Sequence, residues 1–222
     1  MNVIRPYAKI LSIDGNPACA DSGTQALAKI EWCGRISHRS EEAQDNNSWR
    51  RFIQAVVLEK GDWSIVEHAS ATVDMVVDRG ITHEWVRHRL FSFTQESTRF
   101  VNYEKKMPAS FIDPGLVAMY ASTIWTDAIS AAEQAYKDLI AAGCAPQIAR
   151  SVFSNSLASR IITTGNLRVW RHVFCMRTCK EAHPGMRQVI IPLLEEFKTK
   201  IPLLYDDIIP NSSQIANMRL PQ

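Results

Sequence analysis

The chain is poor in the features that would place it in a membrane or in a disulfide-stapled secreted fold. No apolar run reaches the ~18 residues of a membrane span, and the N-terminus shows no charged-then-apolar leader pattern. Its five cysteines (Cys19, Cys33, Cys144, Cys175, Cys179) are odd in number and scattered, so they outline no disulfide framework. A reduced, cytoplasmic protein is the expectation. An excess of basic charge is also missing: 25 Lys+Arg stand against 23 Asp+Glu, a net charge of +2. Bulk charge therefore does not carry this protein onto nucleic acid, and anion binding must come from local clusters. There is no P-loop, no Gly-x-Gly-x-x-Gly and no Gly-x-Ser-x-Gly elbow. Repeats, low-complexity tracts and long linkers are absent as well.

What is present is an ordinary globular composition, 46% hydrophobic and 22% charged over 222 residues. A chain of this size buries on the order of 70% of its unfolded surface and needs no metal or disulfide staple. A single domain over residues 1–222 is expected. Helices should cover residues 21–37, capped by Asp21 or Ser22 with Leu27, Ile30, Cys33, Gly34 and Ser37 on one face. A second helix, Trp49–Lys60, should end at Gly61. Residues 69–78 alternate in strand fashion, and Arg79-Gly80 should break that strand before a short helix from Ile81 to Leu90. Residues 104–115 read as loop. A long amphipathic helix over 122–142, including Ile124, Ile129 and Tyr136, should close at Gly143. Pro146 should open a helix to about Leu157, and Arg160–Thr164 should form a strand ending at Gly165. Asn166 is placed to cap a helix over 167–180, and Pro184 opens the last one, with Pro192 inside it. The fold class is α/β of the α+β type, with helices on a small, mostly antiparallel sheet.

The densest chemistry lies in thirteen residues, Arg87-His88-Arg89-Leu90-Phe91-Ser92-Phe93-Thr94-Gln95-Glu96-Ser97-Thr98-Arg99. Arginine grips phosphate and carboxylate through its planar fork, and hydroxyls and amides add directional bonds. The run has little to do in a core and reads as a site for phosphorylated small molecules. Neighbouring helical residues point about 100° apart, so Arg87 and Arg89 should serve two ligands or two subunits. The bland alternative for Arg87-His88-Arg89 is a solvated basic helix end. Arg150, one turn into its helix, is either a ligand contact or a surface arginine.

A second basic cluster is Asn166-Leu167-Arg168 with His172 and Arg177. A helix start offers free N–H groups to anions, and a cation among Cys175, Met176 and Cys179 can stabilise a developing anion. His172, Cys175, Cys179 and His183 run down one helical face, and four ligands on one straight helix cannot wrap a tetrahedral ion. No metal is expected. Glu67-His68 is an acid–base pair or a capped, half-buried histidine. Ser97 has no adjacent base in sequence, which favours a hydrogen-bonding role over a nucleophilic one.

Taken together, Arg87-His88-Arg89, seven residues and then Ser97 resemble the signature of the flavin-dependent thymidylate synthases. Glu67-His68, Ser97-x-Arg99, Ala149-Arg150, Asn166-Leu167-Arg168 and Met176-Arg177 extend the resemblance from about Cys33 to about Leu194. It implies a homotetramer with active sites at subunit interfaces, converting dUMP to dTMP. It also implies FAD as cofactor, methylenetetrahydrofolate as one-carbon donor and NADPH as reductant. By position, Ser64, Arg87, His88, Arg89, Gln95, Asn166, Arg168 and His172 look like FAD contacts. Glu84, Trp85, Val86, Arg87, Gln95, Glu96, Ser97, Thr98, Arg99, Arg150 and Arg177 look like nucleotide contacts. Arg177 matches the arginine thought to favour ionisation of uracil N3, the catalytic assignment. Asp62 departs from the family's frequent histidine, Glu84 from glutamine, Gln95 from glutamate, Phe100 from tyrosine, and Ser154-Asn155 from Pro-Leu. The resemblance implies neither a nucleic-acid nor a membrane partner. The competing readings are a flavin- and nucleotide-binding relative without turnover, motivated by Asp62, and a nucleic-acid-binding module using the basic clusters.

Overall fold

The computed structural model describes residues 1–18, 21–104, 108–115 and 122–213. Cys19 and residues 105–107 of the expected 104–115 loop lie outside the described residues, and Ser110–Phe111 within that loop form a short strand instead, held by pairing with Asn2–Val3. Among the described residues no helix is long and apolar enough to cross a membrane. Seven strands and seven α-helices are described: β1 (Asn2–Val3), β2 (Tyr7–Ile13), β3 (Asn16–Pro17), α1 (Ser22–Ile36), α2 (Ser48–Phe52), β4 (Ser70–Asp78), α3 (Arg79–Trp85), β5 (Ser92–Gln95), β6 (Ser110–Phe111), α4 (Ser122–Ala141), α5 (Pro146–Ala149), β7 (Ala158–Asn166), α6 (Leu167–Arg177) and α7 (Pro184–Lys200). A five-stranded sheet has the order β3-β2-β4-β7-β5, and β1 pairs with β6 in parallel. The mixed fold with a small, mostly antiparallel sheet is the one expected.

The chain groups into two compact units, each discontinuous in sequence. The first comprises Met1–Tyr7, Met75–Arg87 and Thr94–Ile161; the second comprises Ala8–Asp74, His88–Phe93 and Ile162–Gln222. The first has a core of Tyr103, Phe111, Ile129, Tyr136 and Leu157, with Phe153 packed on it. Tyr136 and Phe153 stack at 4.6 Å between ring centroids. That packing explains one correction. The helix opened by Pro146 does not reach Leu157: α5 stops at Ala149, a 3-10 turn covers Arg150–Val152, and Phe153 is already extended. Ile124 also leaves the expected face and is exposed, while Ile129, Glu133 and Tyr136 are buried.

The second unit is organised around Trp170, whose indole is fully buried on α6. Its rings touch Phe91 at 4.6 Å, Phe197 at 5.2 Å and Phe174 at 5.8 Å. Its Nε1–H donates to the Ala71 carbonyl of β4 at 3.1 Å, so the buried indole is satisfied. On α1 the buried face carries Ala26, Leu27, Ile30 and Gly34, while Ser37 is exposed. Buried there instead is Glu31, which accepts from Arg35 Nε and Ser48 Oγ, each at 2.8 Å. The second helix begins as α2 and continues as a π-helical stretch over Ile53–Glu59, and Gly61 comes next but one with φ +82°. Asp14-Gly15 has positive φ at both positions, the two-residue turn that matches hairpin twist. It joins β2 to β3, a hairpin that the hydrophobic patterning does not reveal.

β4 does end ahead of Arg79-Gly80, as expected, but the helix that follows starts two residues earlier than expected: Arg79 and Gly80 belong to α3, because the Asp78 side chain accepts from Ile81 N at 2.8 Å and caps it. Gly165 does not end its strand. β7 runs one residue further, to Asn166, and Gly165 serves there as the residue without a side chain, since an added Cβ would sit 2.1 Å from the Phe91 ring. Gly165→Ala should therefore force Phe91 off Trp170 and destabilise the protein by about 1–3 kcal/mol. Thermal or urea unfolding reads this directly, and an unchanged midpoint would refute the close-approach account.

Candidate functional site

The thirteen-residue run is not helical where it was expected to be. α3 ends at Trp85, Val86-Arg87 turn, and Arg89-Leu90 turn again before β5. Arg87, His88 and Arg89 thus lie on a connection, and the helical argument for splitting their directions does not apply. Phe91 corrects the run's supposed lack of a core role: it is buried and packs on Trp170. Such an anchor places neighbouring polar side chains without spending them on packing.

Within the first unit, the nucleotide-type residues gather around the segment after β5. Thr98 is buried, and its Oγ1 accepts from Arg150 Nη1 at 2.7 Å. Arg150 is half-buried in the 3-10 turn after α5, so it is not a free surface arginine. Ser97 Oγ accepts from Arg99 N at 3.4 Å, a local turn contact. Arg99 is exposed and lies over the Phe100 ring at 5.2 Å. Glu96 Oε1 accepts from the Tyr103 hydroxyl at 2.9 Å. Burial and the adjacent Glu96 carboxylate hold the Tyr103 phenol well above its usual value, so it stays a donor. Gln95 Nε2 donates to Thr82 Oγ1 and Ser159 Oγ, both at 3.0 Å. The Gln95 amide is thereby tied to α3 and β7. Among the residues around the end of α3, Trp85 is fully buried, Glu84 is half-buried, and Val86 and Arg87 are exposed. The Trp85 side chain is core, which leaves its backbone for any ligand.

Within the second unit, α6 displays a row of donors. Asn166 caps it as expected, Oδ1 accepting from Val169 N at 2.9 Å. Arg168 and His172, one turn apart, are exposed on its outer face. Arg168 pairs with Glu67 at 2.5 Å, and both side chains are about half exposed (50% and 47%). An ion pair that open contributes little to stability, so Arg168 can exchange it for an anionic ligand. Ser64 and Arg89 are exposed, and Ser64 Oγ donates to Asp62 Oδ1 at 3.1 Å.

Arg177 ends α6, and its Nε–H donates to His88 Nε2 at 3.0 Å. That bond requires His88 Nε2 unprotonated, hence the neutral ring with its proton on Nδ1. Burial, then the Arg177 and His172 charges, lower the His88 pKa from 6.5 to about 4. The structure therefore unites a member of the Arg-His-Arg triplet with the arginine expected to act catalytically. They are 89 residues apart in sequence.

Arg171 was missed as a functional candidate. It is buried at 7% exposure, forks onto Asp207 and lies over the Trp63 ring at 4.4 Å. Helical spacing from Leu167 and to Cys175 places it on the apolar face, a signal legible in the sequence.

The neutral His88 carries a pH signature. Between its ordinary 6.5 and the folded value of about 4, the unfolded chain binds a proton that the folded chain refuses. Stability present above 6.5 is lost as pH falls through that window. His88→Gln should flatten this limb of a denaturation-versus-pH curve, and an unaltered slope would refute the assignment.

Comparison with known proteins agrees with these motifs. The model of the thymidylate synthase complementing protein family matches residues 21–203. The flavin-dependent thymidylate synthase of Mycobacteroides abscessus is 35% identical over 85% of this chain and 80% of its own length. That of Corynebacterium diphtheriae is 32% identical over 84% of this chain and 80% of its own. Among solved structures, a UMP/dUMP methylase, PolB from Streptomyces cacaoi, bound with 5-Br dUMP, superposes with a TM-score of 0.75. It is 21% identical, covering 93% of this chain and 96% of that one, a likeness of fold. The chain belongs to the thymidylate synthase complementing protein family, that of the flavin-dependent thymidylate synthases.

Proposed function

We propose that this protein methylates dUMP to dTMP, with methylenetetrahydrofolate supplying the carbon and FAD, recharged by NADPH, supplying the hydride. The observation that carries the reading is the family match over residues 21–203, which spans every candidate residue from Ser64 to Arg177. We further propose a homotetramer with active sites at subunit interfaces.

The donor chemistry of the second unit fits FAD. A diphosphate-bearing cofactor needs cations and N–H donors on one surface, and α6 offers its capped N-terminus, Arg168 and His172 there. His88, Arg89, Ser64 and Asn166 complete the second unit's flavin set. When bound, reduced flavin supplies the hydride that completes the methyl group.

For the nucleotide, Arg150 and Arg99 are the phosphate-binding cations. Thr98 orients Arg150 by accepting its Nη1–H. Ser97 donates its hydroxyl to the substrate and is no nucleophile. Glu84, Trp85, Val86, Arg87, Gln95 and Glu96 complete the pocket, Trp85 through its backbone. Arg177 acts at the uracil ring. A guanidinium stays charged at any working pH, and beside N3 it favours loss of that proton. The resulting anion raises electron density at C5, where the new carbon–carbon bond forms. His88, neutral and accepting from Arg177 Nε, steadies the guanidinium without competing for anionic charge.

The decisive assay is anaerobic: dUMP, methylenetetrahydrofolate and reduced FAD should yield dTMP without added NADPH. Failure to bind FAD, or binding of FAD and dUMP without dTMP, would overturn the proposal. Arg177→Ala should lower turnover about 10²–10³-fold while leaving the unfolding midpoint near that of the wild type. Near-normal turnover in that variant would remove the N3 role.

A further inference from the structure

We propose that Arg171, clamped by Asp207, is a positioning residue for the flavin contacts and acts through Trp63. The inference rests on the proposed flavin chemistry and concerns a residue pair to which that proposal gives no role.

A buried guanidinium is costly unless its donors are paired. Arg171 is paired on several sides. Nη1 donates to Asp207 Oδ1 at 2.7 Å and to the Leu204 carbonyl at 2.9 Å, and Nη2 donates to Asp207 Oδ2. Its planar face covers the Trp63 indole at 4.4 Å. Trp63 Nε1 is buried without a hydrogen-bond partner, so no polar bond of its own fixes the indole. Contact with the guanidinium and apolar packing hold it instead.

Trp63 opens a short 3-10 helix, Trp63–His68, that carries Ser64 and Glu67. Fixing the indole therefore fixes the start of the segment that presents both side chains. Glu67 pairs with Arg168, three residues before Arg171 on α6. Two links therefore run from one helix to one short segment. Arg168–Glu67 is exposed and surrenders its arginine when an anion arrives. Arg171–Trp63 is buried and is untouched by that exchange. The buried link keeps Ser64 in place relative to α6 while the exposed link opens.

The test compares FAD and dUMP binding to the full-length protein, by flavin fluorescence and by calorimetry. Asp207 is 39% exposed, and Asp207→Asn removes its charge while keeping an amide oxygen for Arg171 to donate to; the unfolding midpoint is read alongside, so that loss of fold is told apart from loss of positioning. Loss of a charge-assisted fork should raise the FAD dissociation constant about tenfold while moving that of dUMP less than about twofold. Trp63→Phe, which keeps an aromatic face, should hold FAD affinity within about twofold, and Trp63→Ala should lose about tenfold. A purely structural role would weaken both ligands together. Equal losses for FAD and dUMP, or unchanged FAD affinity in Asp207→Asn, overturn the inference. A wild-type protein that binds no FAD overturns the flavin reading and this inference with it.

Discussion

The second unit depends on one buried indole. Trp170 must hide a large ring and satisfy an N–H donor, and the Ala71 carbonyl of β4 is the acceptor it finds. That single bond ties α6 to the sheet. The α6 axis then determines where Asn166, Arg168, His172 and Arg177 emerge. The same indole receives Phe91, which anchors the connection bearing His88 and Arg89. Gly165 is the accommodation: only a residue without Cβ leaves room for the Phe91 ring. Hydrophobic packing thus places polar groups that contribute nothing to it.

Charge is used in two ways. Buried or half-buried groups have fixed partners: Arg171 with Asp207, Glu31 with Arg35, Arg177 with His88. These pairings are directional, and for the buried Arg171 and Glu31 low local dielectric makes their disruption expensive. Exposed cations such as Arg168 and Arg99 have weak or local contacts and remain exchangeable. A site for anionic ligands needs both kinds: rigid donors to define geometry, and loosely held ones to supply charge.

Much of the fold is legible in the sequence because local signals agree with tertiary packing. The long amphipathic helix α4, the Asn166 cap and the Gly61 stop all read correctly. Expectation and structure part where a distant residue outweighs a local one. The Phe153 ring finds an aromatic cluster, so the helix opened by Pro146 ends early. Phe91 looks like an idle apolar residue in a polar run because its partner, Trp170, lies 79 positions away. The Asp14-Gly15 hairpin is within reach of turn chemistry, but strands this short carry almost no periodic signal.

The sequence by itself determined the residue types, their order and the family they signal, because motif spacing is local and arginine chemistry does not depend on context. Tertiary structure alone decided which partner each arginine meets. Arg168, Arg171 and Arg177 lie within ten residues on one helix, and helical spacing by itself sets only Arg171 apart. Folding gives the first an open carboxylate, the second a buried fork and ring, and the third a neutral imidazole. Those partners come from segments as far apart as Trp63 and Asp207, and only the closed chain brings them to one helix.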